Sequence, residues 1–351
     1  MPLPPVIETY FEDVEVGMKI PTISIGPLTM VDFVMVPSAH HIWYIGHFDE
    51  EYAKAQGMPD MFMHGFFYYG LMQRLLCNWG GASAIPRRIK YKLARPTVRG
   101  HLITGSGVVT SKRVENGEHL VELDIKLNTQ HGETNCIADA TLVLASRENS
   151  GDPVEPPQPK SLEVGIAITA DGYKQYIGRE TGVRNAPWPV TERAIKHYLE
   201  SIQDSNPLYW SEEYGEQTKW GGRIAPWGGS NVLVGDHGAG IPNWWKPEWM
   251  DTEKQISLNV LDGIPGFPSD QQANTGTEYW CYEPVKIGDR LSMTVRLASI
   301  VGPKTTKVGT GYFVTTEGIW TNQDGKVCMK DDMTVFNYKR GDAAGYTPRG
   351  G

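Results

Sequence analysis

Cysteine is scarce in this chain of 351 residues: Cys77, Cys136, Cys281 and Cys328 are scattered, and no two form a CxxC pair. That excludes a disulfide framework and points to buried free thiols in a reducing, cytoplasmic setting. No uninterrupted apolar run approaches the ~20 residues a membrane span needs. The start, Met1-Pro2-Leu3-Pro4-Pro5, lacks a basic region followed by an apolar stretch, so no secretory signal is expected. Lys/Arg-rich runs are missing and the net charge is −8, which argues against nucleic acid as a partner. The one basic cluster, Arg87-Arg88-Ile89-Lys90-Tyr91-Lys92 with Arg95, fits either a solvated strand face or a local hold on an anionic substrate. There is no Gly-rich nucleotide motif and no Ser or Cys nucleophile signature. His40, His41 and His47 have no fourth ligand at a usable spacing, and adjacent residues 40 and 41 would point apart. No metal and no cofactor are expected.

What is present is a folded composition, 40% hydrophobic and 21% charged, in a length that suits two domains. Pro153, Pro156, Pro157 and Pro159 stand among Gly, Ser, Asp and Glu, a mixture that cannot bury surface and reads as a linker. The expected division is a first domain over 1–147, a linker over 148–161 and a second domain over 162–351.

The two halves share a pattern. Gly46-His47-Phe48-Asp49-Glu50-Glu51-Tyr52-Ala53 matches Asp204-Ser205-Asn206-Pro207-Leu208-Tyr209-Trp210-Ser211-Glu212-Glu213-Tyr214-Gly215 on the Glu-Glu-Tyr anchor. His47 then falls opposite Tyr209, and Asp204 opposite Ile42. Further on, Arg95-Pro96 with Gly100 matches Glu283-Pro284 with Gly288, and Asn128 to Gly132 matches Asn322 to Gly325. Copies that keep different polar residues suggest a duplicated enzyme whose halves diverged in role. Copy two carries an insertion between Tyr214 and Pro284. It includes Asn243-Trp244-Trp245-Lys246-Pro247-Glu248-Trp249 and a Gly/Pro-rich part over 263–268, a candidate lid or a self-packed surface excursion.

Each half is expected to run from short helical segments through a longer apolar helix to a set of strands. In copy one the long helix should span 64–78, apolar round most of its circumference and therefore buried. Strands are expected over 85–94, 102–113, 119–129 and 135–146, with Asn116-Gly117 as a hairpin turn. Copy two should repeat them over 276–338, with Asp324-Gly325 as its turn. A buried helix followed by an antiparallel sheet, present twice, implies an α+β pseudo-dimer: two sheets, each wrapped round a central helix and joined through their edges.

These residues resemble the MaoC-like (R)-specific enoyl-CoA hydratases and dehydratases. In that family Asp-x-Asn-Pro-x-His precedes Asp-x-x-Tyr-Ala and a His-Gly pair. Copy one supplies His47, Asp49, Tyr52-Ala53, His64-Gly65 and Arg95-Pro96 with Gly100; copy two supplies Asp204-Ser205-Asn206-Pro207-Leu208. Gly222-Arg223-Ile224-Ala225-Pro226 is similar to the N-terminal domain of fused dehydratases related to fungal fatty-acid synthase. Asp60-Met61-Phe62, Gly70-Leu71-Met72-Gln73-Arg74 and Asn78-Trp79-Gly80-Gly81 resemble a small subunit of the two-subunit steroid enoyl-CoA hydratases. The resemblance implies a double hot-dog fold and a hydro-lyase acting on an enoyl- or 3-hydroxyacyl-CoA thioester, conceivably with a bulky acyl group. The departures are Ile42 where the family has Asp, and Tyr209 where it has His.

Hydration needs a base for water, a proton donor for the α-carbon and a stabiliser of the enolate oxygen. An imidazole ordinarily titrates near neutrality, so His47 is the expected base. Gly65, at the start of the buried helix, is the expected oxyanion donor through its N–H. Asp204 is the third expected catalytic residue, and Asn206, His64, Tyr209, Arg95 and His41 are expected substrate contacts. Simpler structural roles stand beside these: a turn-capping His47, a Gly65 that only permits close packing, and an Asp204 that only closes an Asx turn. The rival functions are a hot-dog thioesterase and a non-catalytic acyl-CoA-binding partner subunit. Self-association into a homodimer is also expected.

Overall fold

The computed structural model describes residues 5–42, 44–55, 57–148, 156–160, 171–186, 188–229, 260–261, 264, 269 and 271–339. The first half runs β1 (Lys19–Ile25), α1 (Met30–Ala39), α2 (Glu50–Ala55), α3 (Gly65–Gly80), then β2 (Ile85–Leu93), β3 (Ile103–Glu115), β4 (Glu118–Thr129) and β5 (Thr134–Val143). The second runs β6 (Arg184–Asn185), α4 (Glu192–Ser201), α5 (Pro207–Trp210), α6 (Glu212–Glu216), then β7 (Gln271–Cys281), β8 (Ser292–Thr305), β9 (Thr310–Thr321) and β10 (Val327–Lys339).

The strands form one sheet in the order β1-β3-β4-β5-β2-β7-β10-β9-β8-β6. Read outward from the centre, each half repeats the other's order, as duplication requires. The seam is β2 against β7, antiparallel from Arg88↔Trp280 to Lys92↔Gly276, so each half covers the edge the other would expose. The Asn116-Gly117 turn is as expected: both residues take positive φ, 51° and 81°, which matches the twist of a two-residue hairpin.

Helix α3 lies in the concavity. Phe67, Tyr69, Met72 and Leu76 are fully buried, because sheet residues of the first half cover one flank and second-half residues the other. Tyr69 stacks on Tyr279 of β7, with centroids 3.9 Å apart. The helix stops at Gly81, whose φ of 92° only glycine takes readily.

The long helix expected in copy two, the aromatic insertion around Trp244-Trp245 and most of the linker fall outside the described residues, as does Trp43.

Candidate active site

Two polar clusters flank α3. The first gathers at its start. His64 precedes the helix in extended backbone (φ −84°, ψ 169°) and its side chain does not cap the first turn. The first amides of a helix have no acceptor inside it and carry the positive end of its dipole. His47 sits over this end, its ring centroid 5.5 Å from that of His64. It comes from a short turn of helix, Ile45–His47, and packs edge-on against Phe62 and Tyr44.

His47 Nδ1 lies 2.6 Å from the Phe62 carbonyl oxygen. A carbonyl only accepts, so Nδ1 carries the proton and Nε2 keeps its lone pair. The Phe62 segment is itself held in place: Phe62 bridges Val98, and Met63 N–H donates to the Thr97 carbonyl at 3.0 Å. The backbone of Thr97-Val98 thus fixes the carbonyl that sets the tautomer of His47. The ring is 5% exposed. Burial lowers its pKa to about 4, against the smaller opposing pull of the Phe62 carbonyl. The imidazole is therefore neutral at neutral pH, the state a base requires.

The second half reaches this cluster through α4. His40 stacks on Tyr198 at 4.9 Å, its Nε2 lies 2.9 Å from Ser201 Oγ, and its ring meets His64 edge-on at 4.9 Å.

The second cluster lies further along α3. Asp204, 2% exposed, accepts the Asn206 N–H at 3.0 Å, and Asn206 caps α5 by accepting the Leu208 N–H at 3.1 Å. The Asx turn is thus real. The other carboxylate oxygen of Asp204 has no hydrogen-bond partner among the described residues. The Tyr209 hydroxyl accepts from Gln73 Nε2 at 3.2 Å, and Arg74 donates to the Ile202 carbonyl at 3.0 Å.

From His64 to Arg74 the helix rises roughly 15 Å. His47 meets His64 at the start of α3, and Asp204 interacts with Arg74 ten residues further along it. Asp204, Asn206 and Tyr209 keep each other's company, while His47, His64 and Gly65 form the other group. Arg95 is exposed at the far end of β2, paired with Glu133 at 2.9 Å, and His41 is exposed at a φ of 54°. Arg95 thus faces solvent, and His41 is exposed beside His40 in the chain.

Residues 175–331 match the FAS1-like dehydratase domain region. A protein of Thermomonospora curvata named "Probable enoyl-CoA hydratase alpha subunit" is 28% identical over 165 residues, covering 47% of this chain and 50% of that protein. The 3-oxo-4,17-pregnadiene-20-carboxyl-CoA hydratase beta subunit of Mycobacterium tuberculosis is 37% identical over 65 residues, covering 18% of this chain and 50% of that protein. A MaoC domain protein dehydratase structure from Chloroflexus aurantiacus superposes with a TM-score of 0.64 at 12% identity, covering 95% of this chain and 98% of that one. The chain is similar to MaoC-like hydratases and dehydratases. Its fold is the double hot-dog. The chain spans about half the length of the curated relatives it matches.

On this double hot-dog frame Arg87, Arg88 and Lys90 of β2 are held in ion pairs. Arg87 is buried against Glu118, Arg88 bridges Asp139 and Glu278, and Lys90 meets Glu278 at 3.0 Å. A groove of about 590 Å³ runs over the outward face of the β2–β7 seam, lined by Lys90, Lys92, Thr275 and Asp332 among others. Tyr91, Gly276 and Thr277 also line it, whereas His47, His64 and Gly65 do not.

The sequence reading singled out neither Gln73 nor Tyr198, and it did not single out Asn274 or the Tyr91 hydroxyl as site groups. Strand alternation could have found Tyr91, since it places that residue on the face opposite Lys90 and Lys92.

Asp204 gives a stability prediction. Burial raises its carboxyl to about 6, opposed by the Asn206 N–H and by Arg74. A folded-state pKa above the unfolded value means that its favourable contribution is complete below about pH 4 and is lost as pH rises through 6. Asp204→Asn keeps the Asx-turn acceptor and cannot ionise. It should therefore stabilise the protein at pH 7, by roughly 3 kcal/mol at most, and make no difference near pH 4. Thermal melts at the two pH values check this; an equal shift at both would remove the ionisation argument.

Proposed function

We propose that the chain is a hydro-lyase that adds water to a 2-enoyl-CoA, or removes it from a 3-hydroxyacyl-CoA. The observation that carries this reading is the neutral His47, its Nδ1 proton held by the Phe62 carbonyl, standing over the start of α3. In the hydration direction, water oxygen bonds to the β-carbon while Nε2 of His47 takes the water's proton. The π electrons move onto the thioester oxygen, which the Gly65 N–H and the helix dipole stabilise. The enolate then collapses and the α-carbon takes a proton back from the imidazolium.

In this reading each hot-dog unit, 1–147 and 162–351, plays a different part. The first holds the base. The second, through Asp204, Asn206 and Tyr209, lines the space that accepts the acyl group. A relative named for a pregnadiene carboxyl-CoA supports a bulky acyl group. Relatives named as alpha and beta subunits support association with further chains, a second copy among them. Four buried free thiols support a cytoplasmic setting.

Incubation with a series of 2-enoyl-CoAs tests the activity. Loss of the enoyl absorbance without release of free thiol is the expected result. Thiol release instead would make the protein a thioesterase, and binding with neither signal would make it a non-catalytic acyl-CoA-binding subunit.

A further inference from the structure

The neighbours of Gly65 come from strands that the expected mechanism does not use. A Cβ built on Gly65 would stand 2.7 Å from the Tyr91 hydroxyl and 3.1 Å from Asn274 Nδ2. Two hydrogen-bond donors from different halves of the chain thus converge on the opening turn of α3.

Tyr91 is 1% exposed, and its hydroxyl makes no hydrogen bond of normal geometry among the described residues. Leaving a buried hydroxyl unpaired is unfavourable, and the Tyr91 hydroxyl keeps its donor capacity for a group brought to Gly65. Asn274 is aimed by a defect in the ladder. Along β7, Tyr279 and Thr277 are buried on the helix side of the sheet, while Glu278 faces Lys90 on the other. Unbroken alternation would turn Thr275 inward and Asn274 outward.

The β7–β10 register slips between Thr334↔Gly276 and Val335↔Asn274, which leaves Thr275 as an extra residue. One extra residue reverses the parity of everything beyond it. Asn274 therefore faces inward. Its Oδ1 accepts the Gly276 N–H at 2.9 Å, which turns the amide N–H₂ toward Gly65. Its contact with Thr277 Oγ1 is long, at 3.4 Å. Gly276 lets the two halves close at this point, since a Cβ there would stand 2.5 Å from the Tyr91 carbonyl oxygen.

We infer that the Tyr91 hydroxyl and the Asn274 side-chain amide are two further donors to the thioester oxygen. With the Gly65 N–H they make a three-point carbonyl clamp that exists only where the two halves meet. The inference rests on the proposed acyl-CoA reading and specifies which residues of that site hold the carbonyl. Its consequence is that neither half alone carries a complete oxyanion site. The β2–β7 seam is then a functional joint as well as a structural one.

Tyr91→Phe removes the hydroxyl and nothing else. Asn274→Asp keeps the acceptor for Gly276 N–H but removes the donor. Each is expected to lower kcat for enoyl-CoA hydration between about tenfold and a hundredfold, with KM little changed, because the bonds strengthen as the oxygen gains charge. Tyr91→Phe should melt close to the parent, since the hydroxyl makes no hydrogen bond of normal geometry among the described residues.

A second readout needs no turnover. Hexanoyl-CoA, isotope-labelled at the thioester carbonyl, is bound and its infrared carbonyl stretch recorded; the parent should shift it to lower frequency than in solution, and both variants should shift it less. Unchanged kcat and an unchanged stretch in folded Tyr91→Phe would overturn the clamp. Full activity in Asn274→Asp beside loss in Asn274→Ala would reduce Asn274 to a prop for the bulge and overturn its assignment. Should the parent polarise the carbonyl yet hydrate no enoyl-CoA, the hydratase reading fails while the clamp stands. Absence of acyl-CoA binding in the parent would sink both.

Discussion

Replacing His47 with alanine lowers enoyl-CoA hydration by at least about a hundredfold, the usual worth of a positioned base. The ring is small, and its polar anchor is one hydrogen bond to the Phe62 carbonyl. The variant should therefore fold, and circular dichroism checks that it has. The loss should appear in kcat, because the imidazole acts on water in the transition state. The pH profile carries a second, independent part of the result. Burial holds the folded-state pKa of His47 near 4, below the ordinary value of 6.5. The base is therefore deprotonated at every pH above that, and kcat/KM should stay level down to about pH 4. An exposed imidazole would lose activity below 6.5 instead. Parent-like turnover in the alanine variant would remove His47 from the mechanism, and an acid limb near 6.5 would show that the ring is not dry in the working enzyme.

Alanine at position 65 gives the other large effect, through space and not through conformation. Gly65 opens α3 and is not among the positive-φ glycines, so alanine meets no conformational penalty there. The added methyl would occupy the place the thioester oxygen needs, 2.7 Å from the Tyr91 hydroxyl and 3.1 Å from the Asn274 amide. Expected is a kcat/KM lower by on the order of a hundredfold to a thousandfold, as when an oxyanion donor is removed. The methyl also crowds a buried tyrosine, so the melting temperature should fall modestly while the variant stays folded. A variant that melts early and turns over normally would mean that Gly65 serves packing alone, with the carbonyl bound elsewhere.

The sequence carried the fold far. Residues 85–94 and 119–129 were expected as strands and are found as Ile85–Leu93 and Glu118–Thr129. The buried helix expected over 64–78 is Gly65–Gly80. These elements are legible because apolar spacing, turn residues and glycine caps are local properties of the chain. His47 and the His64-Gly65 pair were legible only through the resemblance to the MaoC-like signature, and the structure sets the two histidine rings 5.5 Å apart.

What was not legible depends on long-range register. Tyr91 looked like part of a basic strand because Arg87, Arg88, Lys90 and Lys92 surround it in sequence. Asn274 carried no signal at all, because a bulge turns it inward, and bulges are written in the pairing of two strands. The relation of His47 to Asp204 likewise waited on the packing of α4 and α5 along α3.

The amino-acid order by itself determined that there are two copies of one unit and where the buried helix begins, since periodicity and local spacing suffice for that, while the choice of His47 rested on the resemblance to a family signature. Only the tertiary structure decided that the two polar clusters sit at different heights on one helix, and that donors from β2 and β7 meet at Gly65. Those relations are set by how strands more than 180 residues apart pair and how sheet and helix pack, and no local pattern encodes them.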